Sequence, residues 1–476
     1  MAANNTHFVI FPFMAKGHTI PLLYFANLLS QRHLHVTVVT TQANSASIKS
    51  ILNDPSISVA EIDFPTNIDG VPPGVESTDQ LPSMSLYFNF ISATKLLRPQ
   101  FEKMLQDIKP PVSCIVSDAF LGWTQDVAAE LGIPRIGFYG MSCYAMTMYT
   151  ILGLKKPHAL TTSADEPFSV PDFPKLTFTR SDFDPPFDEI DPKGPWVDFI
   201  IEQNIALAQS YGMIVNGFYD LEAEYTDYWN RCFAPKAWCV GPLCLGKPKQ
   251  LCDDDHQEGL RSDHKKLQPN WRLWLDRKLE TGVPVLYVAF GTQADLSTEQ
   301  LIEMAEGLEK SNVSFLWVLR PNTIKLLGGH FEEMEVNGKG MIVGEWVDQM
   351  EILAHQSIKG FLSHCGWNSV TESVCAKVPI LAMPFLAEQH LNARFVVEEI
   401  GVGIRVWPCN GSVRGFVKSD EVEKRVRELM EGAKGEEVRK KMEKFGEAAC
   451  AAMREGGSSW SKLDQIIHDV SNYQPS

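Results

Sequence analysis

Short runs of valine, isoleucine and phenylalanine alternate with longer stretches of helical periodicity, and they do so twice along this 476-residue chain. That alternation constrains the fold more than any other feature. Strands separated by helices run parallel and are covered on both faces. In the first half, strands are expected at residues 7–13, 35–40, 59–64, 114–118, 135–139 and 212–216, with helices at 21–31, 86–106 and 124–131. Residues 246–266 are polar, charged and without period, which reads as a linker. The alternation then restarts, with strands at 285–290, 315–319, 341–343, 358–363 and 380–383 and helices at 298–310 and 368–376. Two charged helices follow, at 419–430 and 436–453. The fold class is therefore α/β: two doubly wound, Rossmann-like domains, 1–245 and 267–456, facing across a cleft with ligands at their carboxyl edges.

Charge and cysteine usage narrow the function. Acidic residues number 59 against 43 basic ones, a net charge of −16 that repels nucleic acid and anionic lipid. The apolar run 8–15 is broken by Pro12 and ends at Lys16, which suits a buried strand rather than a leader, and no run is long enough to span a membrane. Ten cysteines with no CxxC pair and no ligand spacing read as reduced, mostly buried thiols of a cytoplasmic protein. The acidic run Asp253–Asp255 lies in the linker and reads as solvated charge, so no metal is expected.

Two strand ends carry chemistry. His18 follows the first strand beside a helix N-terminus, whose positive end favours a neutral ring able to take a proton. Asp118 closes the buried strand CIVSD on the same edge, where an aspartate can fix a histidine's tautomer. The plainer readings, a loop histidine and a helix-capping aspartate, stand beside this one. No GxSxG, HExxH, Walker lysine or GxGxxG motif is present, so a base without a protein nucleophile points to a substrate that itself attacks. In the second half, the turn SHCGWNS opens a helix, and its amides with His364 form an anion site suited to a phosphate. Glu372 lies one turn beyond Asn368, where a carboxylate can accept a sugar diol, and Trp346 can stack on a planar base.

The stretch 346–389, with HCGWNS at its centre, closely resembles the signature box of plant family 1 UDP-dependent glycosyltransferases. The segments PFMAKGHTIP, DAFLGW and YVAFGT extend the resemblance over essentially the whole chain, in detail toward flavonoid and phenol glucosyltransferases. The resemblance implies a GT-B architecture, with a C-terminal helix of about 457–476 packing back on the first domain. It implies that Trp346 stacks on uracil, Val347 bonds its edge by the backbone, and Gln349 and Glu372 hold the ribose. His364, Gly366, Asn368, Ser369 and Thr292 would surround the diphosphate, and Trp367, Glu388 and Gln389 would bind the sugar, with the closing glutamine in the form associated with glucose. His18 matches the family's catalytic base and Asp118 its partner. Asp348, Thr292 and Glu388 depart from the common proline, serine and aspartate; the first bears on local backbone geometry.

The implied reaction is inverting transfer of glucose from UDP-glucose to a hydroxyl, or an aromatic carbon, of a small lipophilic phenol such as a flavonoid. Met14, Phe88, Phe120 and Tyr144 are expected on the acceptor wall, although aromatic and methionine residues at such spacing are more often core. No cofactor or metal is expected, UDP-glucose being a co-substrate. A monomer with no nucleic-acid or stable membrane partner is the expected state. Three alternatives remain: another UDP-sugar such as galactose, xylose or rhamnose, a non-catalytic UDP-sugar binder, and a nicotinamide oxidoreductase, the last disfavoured by the missing glycine fingerprint.

Overall fold

A computed structural model describes residues 6–52, 54–246, 269–291, 296–327 and 338–474. The chain divides into two compact units. The first comprises Met1–Cys143, Asp191–Pro248 and Ala451–Ser476, and the second Tyr144–Ile190 and Lys249–Cys450. The linker expected at 246–266 lies, from residue 247 onward, outside the described residues.

The first unit is built on a seven-stranded sheet. In chain order its strands are β1 (His7–Phe11), β2 (His35–Thr41), β3 (Ser58–Ile62), β4 (Cys114–Asp118), β5 (Arg135–Tyr139), β8 (Gly212–Val215) and β9 (Ala237–Cys239). A two-stranded antiparallel hairpin, β6 (Phe168–Val170) and β7 (Phe173–Phe178), falls between them in sequence and belongs to the second unit. The sheet order is β3-β2-β1-β4-β5-β8-β9, every neighbour parallel. The order reverses between β1 and β4, so the crevice of a doubly wound sheet opens at their carboxyl ends. Strand β1, HFVIF, is buried at every position because helices cover both faces.

The second unit repeats the scheme with β10 (Val285–Ala289), β11 (Ser314–Val318), β12 (Gly340–Val343), β13 (Ile358–Ser363), β14 (Ile380–Ala382) and β15 (Gly403–Arg405). Their order is β12-β11-β10-β13-β14-β15, again all parallel, and it reverses between β10 and β13. Side-chain alternation sorts β10 into two cores. Leu286 and Val288 pack with Trp317 and Met304 on one face, while Val285, Tyr287 and Ala289 pack with Trp271 and Phe361 on the other.

Most expected elements sit within a few residues of their observed bounds. Three differences have physical causes. The helix expected from residue 21 starts at Lys16, so Pro21 lies inside it rather than in its first turn. The helix expected over 86–106 is broken into Tyr87–Ala93 and Arg98–Asp107 by a 3-10 turn, Thr94–Leu97, just ahead of Pro99, whose ring cannot continue the α-helical ladder. Strands β9 and β15 are three residues each, too short to show a period.

Residues 144–190, read from sequence as part of the first domain, group with the second unit. The Tyr144 ring lies 5.1 Å from Phe395, and Arg394 bonds Asp182 at 2.8 Å. The C-terminal helix Ser458–Ser471 belongs to the first unit, where Arg32 bonds Asp464 at 2.7 Å and sits 3.9 Å over the Trp460 ring. Among the described residues no helix is long and apolar enough to cross a membrane. Among the described residues eight cysteines are free and six of those are buried. Cys450 is disulfide-bonded, contrary to the expectation that all ten are reduced.

Candidate active site

In the first unit, His18 stands in the first turn of helix Lys16–Ser30, entered directly from β1, and Asp118 is the last residue of β4. Because β1 and β4 are neighbours at the point where strand order reverses, the two side chains meet: His18 Nδ1 lies 2.8 Å from Asp118 Oδ2. Asp118 is buried, while the His18 side chain is 25 % exposed. A carboxylate only accepts, so it holds the ring proton on Nδ1 and leaves the lone pair on Nε2. The other carboxylate oxygen accepts the Phe120 amide at 2.9 Å, which fixes the acid as well as the base.

Behind the pair stands a residue that sequence reading passed over. Arg135, fully buried at the start of β5, donates to the Asp118 carbonyl at 3.1 Å and to Ser117, Thr124 and Ser210 at 2.7 to 3.0 Å. Burial pulls its guanidinium down to about 10, with Asp118 acting the other way, so it stays charged near neutral pH and balances the buried carboxylate. A charged residue opening a buried strand was the available signal.

Aromatic rings wall the histidine. Phe120 lies 5.2 Å and Phe13 5.5 Å from the His18 ring, and a Cβ on Gly140 would touch it at 3.8 Å. Tyr87 and Trp196 extend the wall, Trp196 lying 6.3 Å from Phe120 and 5.9 Å from Tyr87. Burial and the nearby Asp118 carboxylate both push the Tyr87 hydroxyl up, keeping it protonated. Of the four expected acceptor residues, Phe120 is on this wall. Phe88 is half-buried and joins through Phe199, 6.4 Å away, whose ring is 6.0 Å from Phe120. Met14 is 5 % exposed, packed in the core beneath. Tyr144 is 1 % exposed and packs on Phe395, both in the second unit. Tyr87 and Trp196 were missed because neither stands at a strand end.

In the second unit the signature stretch gathers at the reversal between β10 and β13. Trp346 presents a 56 % exposed indole, and Val347 packs on the core below. Asp348, placed where proline is common in the resembling family, caps helix Gln349–Leu353 by accepting the Met350 amide at 3.0 Å, so the turn is held by a hydrogen bond instead of a ring. Gln349 Nε2 donates to Glu372 at 2.6 Å and to Ser369 at 2.9 Å, and its carbonyl accepts from Tyr287 at 3.4 Å. The ribose candidates are thus already joined.

His364 follows β13 and lies against the loop after β10. A Cβ on Gly291 would meet its Nε2 at 2.9 Å, and one on Gly366 at 2.6 Å, so both positions must lack a side chain for the ring to sit there. Burial pulls His364 down to about 4, which keeps it neutral at physiological pH. Gly366 caps helix Trp367–Cys375, making the amides of Trp367, Asn368 and Ser369 the helix's first three. The Trp367 indole is 2 % exposed, so the backbone amide is what this residue can present. Cys365 adopts φ +62, and Asn392 bonds its carbonyl at 3.0 Å, a second contact not foreseen. Thr292 lies outside the described residues.

At the far end of the stretch, Glu388 stands at the N-cap position of helix Gln389–Arg394, its side chain making no cap bond. Gln389 Oε1 accepts the amides of Phe385 and Leu386 at 3.0 and 3.2 Å, which fixes the orientation of its side-chain amide. Among the described residues no cluster of three or more His, Cys, Asp or Glu could hold a metal ion.

Comparison with known proteins decides the family. The family described as UDP-glucoronosyl and UDP-glucosyl transferase matches residues 248–434. UDP-glycosyltransferase 90A1 of Arabidopsis thaliana is 47 % identical over 99 % of this chain and 97 % of its own length. The chain belongs to the plant family 1 UDP-glycosyltransferases. An anthocyanin 3'-O-beta-glucosyltransferase of Gentiana triflora is 35 % identical over 99 % of both chains. Among solved structures, Glycyrrhiza uralensis UGT73P12 complexed with glycyrrhetinic acid 3-O-monoglucuronide superposes with a TM-score of 0.86 at 29 % identity, covering 98 % of this chain and 95 % of that one. The fold is accordingly GT-B, and the protein is an enzyme that transfers a sugar from a UDP-sugar to a small molecule.

Proposed function

We propose that this glycosyltransferase moves glucose from UDP-glucose, with inversion, to a hydroxyl of a small lipophilic phenol of the flavonoid kind. The observation that carries the chemistry is the His18–Asp118 pair, 2.8 Å apart and walled by Phe13 and Phe120. His18 Nε2 takes the proton of the acceptor hydroxyl as its oxygen attacks the anomeric carbon from the face opposite UDP. The carbon–oxygen bond to the diphosphate breaks, UDP leaves, and an α-linked donor gives a β-glucoside. Asp118 stabilises the imidazolium formed, and general-base help of this kind contributes about 10² to 10⁴ in rate.

The leaving diphosphate gathers negative charge, which the amides opening helix Trp367–Cys375 and the neutral His364 are placed to receive. The proposed reaction uses no metal or other cofactor. Trp346 stacks on the uracil, Gln349 and Glu372 take the ribose, and Glu388 and Gln389 take the glucose hydroxyls. Thr292 joins the diphosphate site in this reading. The name of the Gentiana relative supports glucose and a β-linkage to a phenolic oxygen. Aromatic rings around the base support a flat acceptor and are equally compatible with attack by carbon. The eight free thiols among the described residues support work in the cytoplasm, against the disulfide-bonded Cys450, and the enzyme acts as a monomer in this reading.

Mass spectrometry tests the proposal. Wild type mixed with UDP-glucose and a flavonoid panel is expected to give hexose adducts that His18→Ala does not, with acid-labile adducts marking O-linkage. Protection from heat by UDP without any adduct across the panel contradicts the phenolic acceptor. Protection by UDP-galactose but not UDP-glucose contradicts the sugar.

A further inference from the structure

The turn that presents Glu388 and Gln389 is unusual in its backbone. Ala387 sits at φ +53, a region that costs any residue with a Cβ, so the surroundings must hold it there. From within, the Gln389 side chain bonds the Phe385 and Leu386 amides. From without, the support comes from residues some two hundred positions earlier. The Asp184 carboxylate accepts a charged hydrogen bond from Arg414 Nη1 at 3.2 Å and lies near enough to the Ala387 backbone N–H for that dipole to favour its charged form. Arg414 Nε also bonds the Ser181 carbonyl at 2.7 Å, and the Asp184 amide donates to the Tyr149 hydroxyl at 3.2 Å. Two residues away, fully buried Asp182 bonds Arg394 at 2.8 Å, at the other end of helix Gln389–Arg394. Two carboxylates of one short segment thus face the two ends of the helix proposed to carry the sugar contacts, Asp182 by its bond to Arg394 and Asp184 beside the Ala387 turn.

We infer that Asp184, held by Arg414 and Tyr149, is a positioning residue for the sugar half of the donor, fixing the Ala387 turn so that Glu388 and Gln389 meet the hexose. This rests on the reading of Glu388 and Gln389 as sugar contacts. The segment 144–190 then serves donor selection although it lies far in sequence from the signature stretch. Its influence stops at the sugar, because the uracil and ribose contacts lie on separate elements, at Trp346 and on helix Gln349–Leu353.

Calorimetric titration of the full-length enzyme with UDP and with UDP-glucose distinguishes this role from ordinary folding support. Asp184→Asn keeps the shape and removes the charge. It is expected to weaken UDP-glucose by about tenfold and UDP by less than about twofold, the difference expected from losing one charged hydrogen bond on the sugar side. Should that variant fail to fold, Arg414→Gln removes the same support from a half-exposed position and is expected to shift the two ligands in the same unequal way. Equal weakening of UDP and UDP-glucose, or no weakening of either, overturns the inference. Failure of the wild type to bind UDP at all overturns the donor site itself and this inference with it.

Discussion

The two units reverse their strand order in the same way, between β1 and β4 in one and between β10 and β13 in the other, yet they build different kinds of site there. The first unit's site is a pair of side chains a hundred residues apart, joined only because their strands are neighbours. The second unit's site is mostly one stretch of chain folded back on itself, with Gln349 bonded to both Ser369 and Glu372 and His364 fitted between two glycines. A proton-transfer site needs few groups, held rigidly and partly dry. A nucleotide-sugar site needs many contacts spread over the length of its ligand. In the proposed function the same kind of sheet edge serves both, and the loops decide which.

That contrast can be broken in the first unit by Asp118→Asn, which keeps the hydrogen-bonding shape but removes the charge that stabilises the imidazolium. We expect kcat to fall by about 10³, with UDP-glucose affinity within about twofold of wild type. A matching loss of donor affinity would show that the two sites are not separable. In the second unit, His364→Ala is expected to cost about 10² in kcat through the leaving group, measured at saturating acceptor. Gly366→Ala tests the same ring from its other side. The new Cβ would sit 2.6 Å from His364 Nε2, so the ring must shift, and UDP affinity should fall by roughly tenfold with little loss of melting temperature.

The smallest expected effect is the absence of one. Since His364 is held near 4 by burial, it stays neutral, and UDP-glucose affinity should be flat between about pH 5.5 and 8. Its contribution to stability runs with a definite sign. Between the ordinary histidine value and about 4 the unfolded chain takes the proton first, so stability falls as pH falls through that window. Calorimetric melting of wild type and His364→Ala across that range should show the wild type losing more.

How much of this was legible beforehand follows the same contrast. The stretch proposed to hold the donor stands out because its groups are contiguous and its residue types are diagnostic in order. His18 and Asp118 could each be placed at a strand end, and their meeting depended on β1 and β4 being neighbours, which parallel topology makes natural. Arg135 opens a buried strand, a signal that was passed over, and Tyr87 and Trp196 lie in helices whose period says only that one face is buried. Tyr144 shows the converse: an aromatic residue at helical spacing proved to be core. The grouping of residues 144–190 with the second unit was invisible because it depends on single long-range contacts, such as Asp182 with Arg394, that leave no local pattern.

The central claim is that proton transfer belongs to the first unit and donor binding to the second. Its most direct measurement is paired: UDP-glucose dissociation constant and product formation, on His18→Ala and wild type in the same buffer. The account predicts that product formation falls by about 10² to 10⁴ while the dissociation constant stays within about twofold. Product formed at the wild-type rate, or a donor that no longer binds, would contradict it.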